Sequence, residues 1–256
     1  MRRTTPLDAR LIAFGALFLS FASCSRRESA GVNEPVILES SGWRLRGEWR
    51  EQAGKDPAPA VLLLHRAAGS RAEYARLAEA LAMRGVASLR LDLRGHGESD
   101  NLGRFEAPYA DNLRVLEGTH EDVLVALRWI AAHPGVDSSR LAAVGASYSG
   151  EAIGEALRES GESVAAHVML SPGSFSAESV ALVNSSGAPW LFIRTSEESE
   201  DSVEFIDAVF GALGRDAESA ELLVIPGSGH ATGIFDAHPF VIEQVADWIA
   251  QRLDAS

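Results

Sequence analysis

One serine stands at the centre of a short turn of small residues, Gly-Ala-Ser-Tyr-Ser-Gly, which begins at Gly145. An apolar run at residues 141–144 precedes the turn and is short enough for a buried strand, and residues 151–159 have the pattern of a helix. A serine between a strand and a helix, with Gly145 and Ser149 two positions away on either side, is typical of a nucleophile elbow. Such a turn strains the backbone and points the hydroxyl out of the fold. The pattern therefore predicts that Ser147 is a nucleophile.

The elements that would position this serine form a regular alternation of strands and helices. Apolar runs predict eight strands, at residues 36–38, 44–49, 60–64, 86–91, 141–144, 165–170, 190–194 and 221–225. Apolar residues at helical spacing predict helices around residues 74–81, 121–132, 151–159, 202–213 and 239–253. This order predicts an α/β fold in which a doubly wound, mostly parallel, eight-stranded sheet follows a short antiparallel start.

Composition and charge exclude several classes of function. The chain has 256 residues, of which 46% are hydrophobic, so it can form one large domain with a sizeable core. Its formal net charge of -13 argues against nucleic-acid binding, because phosphates would be repelled. The sequence contains no cysteine cluster, no histidine/carboxylate grouping with the spacing of metal ligands, no P-loop and no dinucleotide fingerprint. We therefore expect no metal and no cofactor.

The N-terminal residues have the pattern of an export signal. Three arginines precede an apolar run at residues 11–22, which is shorter than the ~20 residues that span a bilayer. We therefore interpret residues 1–23 as a signal peptide. The run ends in small residues before Cys24, the only cysteine of the chain, and this segment resembles the lipidation site of bacterial lipoproteins.

The resemblance implies a lipid-anchored protein. Cleavage before Cys24 would leave residues 24–34 as a polar tether and residues 35–256 as the domain. The protein would be exported across the bacterial inner membrane and held in the cell envelope, facing the periplasm, by lipid on Cys24. It would be secreted if Cys24 is not lipidated. The sequence indicates no protein partner.

Four segments, in this order, resemble the α/β-hydrolase family. They are Leu-Leu-Leu-His65 with the small residues after it, Asp-Leu-Arg-Gly-His-Gly-Glu-Ser from Asp92, the turn around Ser147, and Pro-Gly-Ser-Gly-His230. The resemblance covers residues 36–253 and is nearest to dienelactone-hydrolase-like and serine-esterase members. It implies a single α/β-hydrolase domain in which the elbow follows the fifth strand.

The resemblance also implies a catalytic triad in the chain order nucleophile, acid, histidine. Ser147 would attack a carbonyl, and His230 would serve as general base and then as general acid. The other six histidines have structural or solvated interpretations. His65 and His96 occupy family loops where histidine is structural, His167 lies within a predicted strand, and His120, His133 and His238 lie at helix ends or turns.

The triad acid should come from the loop after the strand at residues 190–194. Alignment from Pro189 places the family's aspartate on Glu198, and a shift of one or two residues would select Glu197 or Glu200 instead. We predict Glu198. A glutamate here departs from the commonest pattern, but the family allows it.

The oxyanion hole requires two backbone N–H groups. The resemblance assigns these groups to Tyr148, directly after the nucleophile, and to Ala67, in the loop after His65. Arg66 stands where glycine is usual, so it could bind an anionic substrate or pack along the loop. Residues 171–188 are too few for a cap of several helices, so we expect no large cap and an open site.

These observations predict a serine hydrolase that cleaves carboxylic esters of small molecules through an acyl-enzyme. A peptidase or a thioesterase could use the same triad, because pocket shape sets the acyl and leaving groups. A non-catalytic binding lipoprotein that retains the fold is the alternative from another class. Hydrogen-bond reach of His230 to Ser147 and to one carboxylate of residues 197–201 distinguishes a catalytic from a non-catalytic protein.

Overall fold

The computed structural model describes residues 33–52, 54, 57–213 and 220–254. The signal peptide and Cys24 lie outside the described residues and stay predictions. The first strand begins at Asn33, two residues before the expected start of the domain, because Asn33 pairs with Arg50 in the register of the neighbouring strand. No helix within the described residues has the length and apolar character needed to span a membrane.

An eight-stranded sheet forms the centre of the molecule, as predicted. Its strands are β1 (Asn33–Ser40), β2 (Trp43–Arg50), β3 (Ala58–Leu64), β4 (Ala87–Leu91), β5 (Val136–Ala146), β6 (Ala166–Leu170), β7 (Trp190–Thr195) and β8 (Ala220–Ile225). Their order across the sheet is β1-β2-β4-β3-β5-β6-β7-β8. The pairs β1–β2 and β2–β4 are antiparallel, and all other pairs are parallel. The predicted fold class is confirmed.

Helices cover both faces of this sheet. They are α1 (Ala75–Met83), α2 (Thr119–Ala131), α3 (Ser149–Ser160), α4 (Ala177–Ser186), α5 (Glu200–Ala212), α6 (Ile234–Ala237) and α7 (Phe240–Asp254). Short 3-10 segments lie at Arg71–Tyr74, Tyr109–Leu116 and Ala231–Gly233. The elbow follows the fifth strand, as the family resemblance implies.

Strand β3 shows why the central strands are apolar throughout. All seven of its residues are buried, because helices pack on both sides of the sheet. Val61 and Leu63 belong to the core on the face of α1 and α7, whereas Leu62 and Leu64 belong to the core on the face of α2 and α3. Two cores therefore hold the carboxyl ends of the strands, where the candidate site lies.

Helix α4 is the only helix between β6 and β7, and the sequence did not predict it. The Ser176 hydroxyl caps it by accepting a hydrogen bond from the Ser179 N–H. Its buried side chains are only Ser179 and Val183, so the apolar pattern along it is weak. One helix of ten residues does not form a large cap, which agrees with the expected open site.

A buried ion pair fixes the loop after β4. The Arg94 guanidinium donates to both carboxylate oxygens of Asp122 on α2, and the side chains are 6% and 0% exposed. Arg94 also donates from Nη1 to the Glu117 carbonyl (2.7 Å). Gly118 must lack a side chain here, because a Cβ would collide with the guanidinium. The loop is thereby tied to α2, which packs against α3 beside the elbow.

Candidate active site

Ser147 stands on a strained turn between β5 and α3. Its φ is +55°, a left-handed conformation that residues with a side chain adopt at a cost. Its N–H donates to the Leu170 carbonyl at the end of β6 (2.9 Å), which anchors the turn to the neighbouring strand. A Cβ at Gly145 would lie 2.9 Å from the Cα and N atoms of Gly150, so only glycine allows the strand and the helix to approach this closely. These are the features of a nucleophile elbow.

Ser149 ties the elbow to the adjacent strand β3. Its side chain is buried, and its hydroxyl lies 3.0 Å from the Leu64 carbonyl at the end of that strand. The same hydroxyl oxygen accepts the Ala146 N–H (2.7 Å). The small polar side chain therefore fixes the elbow beside the loop that begins at His65.

The structure brings Glu198 and His230 together. Glu198 follows β7 and His230 follows β8, and Glu198 Oε2 lies 3.0 Å from His230 Nδ1. The glutamate side chain is 1% exposed and the histidine side chain is 47% exposed. Among the described residues, neither Glu197 nor Glu200 forms an ion pair with His230. Glu200 is instead the first residue of α5.

Hydrogen bonds keep the buried Glu198 carboxylate charged. Burial, the largest influence, acts to raise its pKa, yet the pKa is lowered from its ordinary value of 4.5. Hydrogen bonds from His230, from the Ser171 hydroxyl and from the Thr195 N–H together outweigh the burial. A charged carboxylate at Nδ1 selects the tautomer with its proton on that nitrogen, which leaves Nε2 of His230 free to accept a proton.

Ser171 is a positioning residue that the sequence analysis missed. Its buried hydroxyl donates to Glu198 Oε1 (2.5 Å) and its oxygen accepts the Ala231 N–H (3.0 Å). Ser171 has a φ of +42°, and its own N–H donates to the Ile193 carbonyl on β7 (2.7 Å). One side chain at the end of β6 thus holds both the acid and the residue after the histidine.

Gly173 borders the nucleophile and was also missed. A Cβ at this position would lie 2.8 Å from Ser147 Oγ. Any side chain would therefore fill the space beside the hydroxyl. The segment Ser171-Pro172-Gly173 directly after an apolar strand was a turn signal that could have drawn attention to this loop.

No hydrogen bond joins Ser147 to His230 within the part of the chain that the structure describes. Ser171 links the two loops indirectly. The carbonyl of the preceding residue, Leu170, accepts the Ser147 N–H, and the Ser171 hydroxyl accepts the Ala231 N–H. Catalytic hydrogen bonds are often long without substrate and tighten when it binds. The arrangement can supply a half-buried serine hydroxyl and an oriented imidazole on the same edge of the sheet.

The loop after β3 is held by a neutral histidine. Burial lowers the pKa of His65 to about 3. Its Nε2 accepts the Leu93 N–H (3.0 Å), so Nδ1 carries the proton and donates to the Arg66 carbonyl (2.7 Å). The Gly69 N–H donates to the same carbonyl (3.0 Å) and closes a tight turn around Ala67. His65 is therefore structural, and the turn presents the backbone of Ala67 near the surface.

Tyr148 lies directly before α3, with a φ of −63°. The first N–H groups of a helix lack partners within it and carry partial positive charge. The Tyr148 N–H, which is the predicted oxyanion donor, therefore belongs to the partly positive N–H groups at the start of α3.

Arg66 is paired rather than free. Its Nη2 lies 2.9 Å from Glu73 Oε1, and its side chain is 39% exposed. Glu73 Oε2 accepts a hydrogen bond from the Thr232 hydroxyl (2.7 Å), two residues after His230. The ion pair with Glu73 compensates the charge of Arg66, and binding of an anionic substrate by this residue stays a prediction. The pair connects the loop after β3 to the histidine loop.

Replacing Ser171 by alanine should lower kcat about tenfold with little change in KM. The substitution removes one donor to Glu198 and leaves the Ala231 N–H without its acceptor, so the imidazole loses its orientation. The pKa of Glu198 should rise, and activity should be lost at a higher pH than in the wild type as the solution is acidified. Steady-state kinetics on an activated ester from pH 4 to pH 9 measures both effects.

The variant Ser171→Gly is the matched control for this prediction. It removes the same hydroxyl but relieves the positive φ. If Ser171→Gly keeps wild-type kcat, backbone strain rather than the hydroxyl is responsible, and the positioning function is refuted.

Comparison with known proteins gives one family. A family model described as serine aminopeptidase, S33, matches residues 55–196. An uncharacterized protein of Mycobacterium tuberculosis, present in two strains, is 30% identical over 220 residues. That match covers 76% of this chain and 71% of the mycobacterial protein.

Solved structures share the fold at low sequence identity. Est1E from Butyrivibrio proteoclasticus, with bound ferulic acid, matches with a TM-score of 0.69 and 18% identity over 86% of this chain and 99% of that one. A dienelactone hydrolase from Anabaena variabilis matches with a TM-score of 0.64 and 20% identity over 88% of this chain and 98% of that one. At these identities the likeness extends to the fold alone.

Proposed function

Because the chain belongs to the α/β-hydrolase family, in the group described as serine aminopeptidase, S33, we propose that it cleaves carboxylic esters through an acyl-enzyme. The observation that carries this proposal is the 3.0 Å contact between His230 and the buried Glu198, on the sheet edge where Ser147 stands on its strained turn. A charged, buried carboxylate behind a half-exposed imidazole is typical of catalytic sites, which supports the proposal.

The proposed reaction uses the three side chains in turn. His230 Nε2 takes the proton from Ser147 Oγ as this oxygen attacks the ester carbonyl, and Glu198 stabilises the resulting imidazolium. The imidazolium then gives the proton to the leaving alcohol, and the acyl group stays on the serine. A water molecule, activated by the same imidazole, attacks the acyl-enzyme and releases the acid. Backbone N–H groups of Tyr148 and Ala67 would stabilise the negative oxygen in both steps.

The shape of the site supports a small or flexible ester. Only α4 intervenes between β6 and β7, and His230 remains 47% exposed. Gly173 leaves space directly beside Ser147 Oγ. An esterase neighbour with bound ferulic acid and a dienelactone hydrolase share this fold, which supports a small-molecule substrate.

A peptidase is the second candidate, because the family model carries the description of a serine aminopeptidase. The same triad would then acylate on an aminoacyl group, and His230 would protonate a leaving amine. Rates on a short acyl ester and on an aminoacyl anilide of the same acyl group separate the two candidates. The esterase proposal requires kcat/KM to favour the ester by more than the intrinsic reactivity difference of the two substrates.

We further propose that the domain works in the cell envelope. The signal-peptide pattern at residues 1–23 and the single Cys24 support export and lipidation. Metabolic labelling of expressing bacteria with a fatty-acid probe, beside Cys24→Ala, tests this proposal. Equal labelling of the two proteins would refute lipidation at that cysteine.

A fluorophosphonate probe tests the catalytic proposal directly. Attack by an activated serine displaces fluoride and leaves a stable phosphonyl-serine, so we expect the wild type to be labelled and Ser147→Ala to remain unlabelled. Ser138→Ala is the matched control, because Ser138 is an exposed serine at the opposite end of β5 from the elbow, so this variant should be labelled like the wild type. If the folded wild type is not labelled, or if Ser147→Ala labels equally, Ser147 is not the nucleophile and a binding protein becomes the better interpretation.

A further inference from the structure

A histidine and two glutamates meet on the outer surface of α2 and α3, away from the candidate active site. His120 lies in the first turn of α2, and Glu155 and Glu159 lie one helical turn apart on α3. His120 Nδ1 lies 3.4 Å from Glu155 Oε2, and His120 Nε2 lies 3.3 Å from Glu159 Oε2. One ligand atom from each of the three residues can be chosen so that all lie within 4.8 Å of one another. The sequence analysis saw no such grouping, because the three residues come together only when the helices pack.

The three side chains lie close enough together to ligate one metal ion. Good N–H···O hydrogen bonds are about 2.7 to 3.2 Å long, so contacts of 3.3 and 3.4 Å are loose. One ion can bind only one nitrogen of the imidazole, so these two contacts, to Nδ1 and to Nε2, are not both distances between ligands. The chosen ligand atoms lie within 4.8 Å of one another, and around a tetrahedral ion with bonds of 2.0 to 2.2 Å they would be about 3.3 to 3.5 Å apart. The side chains are 22%, 36% and 48% exposed for His120, Glu155 and Glu159, so small rotations can direct one ring nitrogen and two oxygens to a common point.

The charge around the cluster also favours a cation. Glu39 and Glu121 line the same surface cavity of about 540 Å³, and of these two Glu121 is paired with Arg94 (3.1 Å). The arginines nearby are engaged or distant, since Arg128 pairs with Glu162 at 2.8 Å and Arg158 approaches Glu159 only to 3.9 Å. Apart from this long contact of Arg158, no arginine among the described residues pairs with Glu155 or Glu159.

We propose that His120, Glu155 and Glu159 form a binding site for Zn²⁺. One imidazole and two carboxylates are a ligand set that zinc accepts, and the exposed position leaves the fourth site to water. The ion would connect α2 to α3, the helix that begins at the elbow. Glu155 lies six residues beyond the start of α3, about 9 Å along the helix axis, so the site is structural and separate from the triad. This proposal does not depend on the proposed esterase activity.

Calorimetric titration with ZnCl₂ tests the site in purified protein that has been dialysed against a chelator. We expect one Zn²⁺ per chain and a rise in Tm of about 5 °C at a hundredfold excess over Kd. His120→Gln and Glu159→Gln should each raise Kd at least tenfold and reduce the Tm shift at the same zinc concentration to about half or less. Co²⁺ in place of Zn²⁺ should give a visible absorption band that both variants lose.

The control variant is Glu79→Gln, which makes the same change to an exposed glutamate on α1, outside the cluster. It should bind zinc like the wild type. Circular dichroism checks that each variant is folded, which surface substitutions of this kind should permit. The proposal is overturned if the wild type releases no heat up to 1 mM Zn²⁺. It is also overturned if His120→Gln binds as tightly as Glu79→Gln, since the ion would then sit elsewhere.

Discussion

Replacing His230 by alanine is expected to reduce kcat on an activated ester on the order of 10⁴- to 10⁶-fold, and Ser147→Ala should cost about as much. The physical reason is that a serine hydroxyl without a base is a poor nucleophile, so either loss removes the same step. The double variant should therefore be no slower than the worse single variant. Single-turnover and steady-state rates of the three variants, with the uncatalysed rate subtracted, measure this cycle.

This cycle tests whether Ser147 and His230 act as one catalytic unit. The two side chains share no hydrogen bond among the described residues. If the kcat of the double variant is reduced by the product of the two single reductions, the residues do not act as a unit. His230 is then not the base for Ser147. His133→Ala provides the control. Its ring packs between Trp49 and Trp129, and we expect kcat within about threefold of the wild type.

The second large effect concerns stability. Arg94→Leu should lower the free energy of unfolding by about 3 to 5 kcal/mol, because it leaves the fully buried Asp122 carboxylate without its cation. The corresponding fall in Tm is about 10 °C for a domain of this size. Urea unfolding followed by circular dichroism gives the free energy, and calorimetry gives Tm.

Two further variants show whether burial causes this loss. Arg128→Leu removes an exposed arginine from the same helix that carries Asp122, and breaking its pair with Glu162 should cost less than about 1 kcal/mol. The double variant Arg94→Leu/Asp122→Asn removes the unpaired charge and keeps an acceptor for the backbone N–H of position 94. It should recover at least half of the loss. Equal losses for Arg94→Leu and Arg128→Leu would contradict the explanation.

The sheet and the elbow could be predicted from the sequence because both depend on local patterns. Runs such as residues 60–64 are apolar throughout since both faces of β3 are covered, and the elbow needs small residues at fixed positions. Glu198 could be selected because the loop after β7 is short and follows a recognisable strand. Its contact with His230 agrees with that selection.

The residues that escaped prediction act through contacts between distant parts of the chain. The Ser171 hydroxyl bonds to partners 27 and 60 residues away, and no local pattern marks such a serine. Helix α4 was not predicted because only two of its side chains are buried, so its sequence shows little apolar spacing at helical period. His120 was interpreted alone, as a residue at a helix end, since its two glutamate neighbours belong to another helix.

The order of the strands has a consequence for the time at which the site appears during synthesis. Ser147, Ser171, Glu198 and His230 follow β5, β6, β7 and β8, so each contribution enters the sheet one strand after the last. Arg84, beside the first helix, pairs with Glu243 and Asp247 of α7, which is made later still. During synthesis, Ser147 therefore leaves the ribosome well before His230. The proposed active site is therefore complete only after β8 and the residues that follow it have left the ribosome and folded.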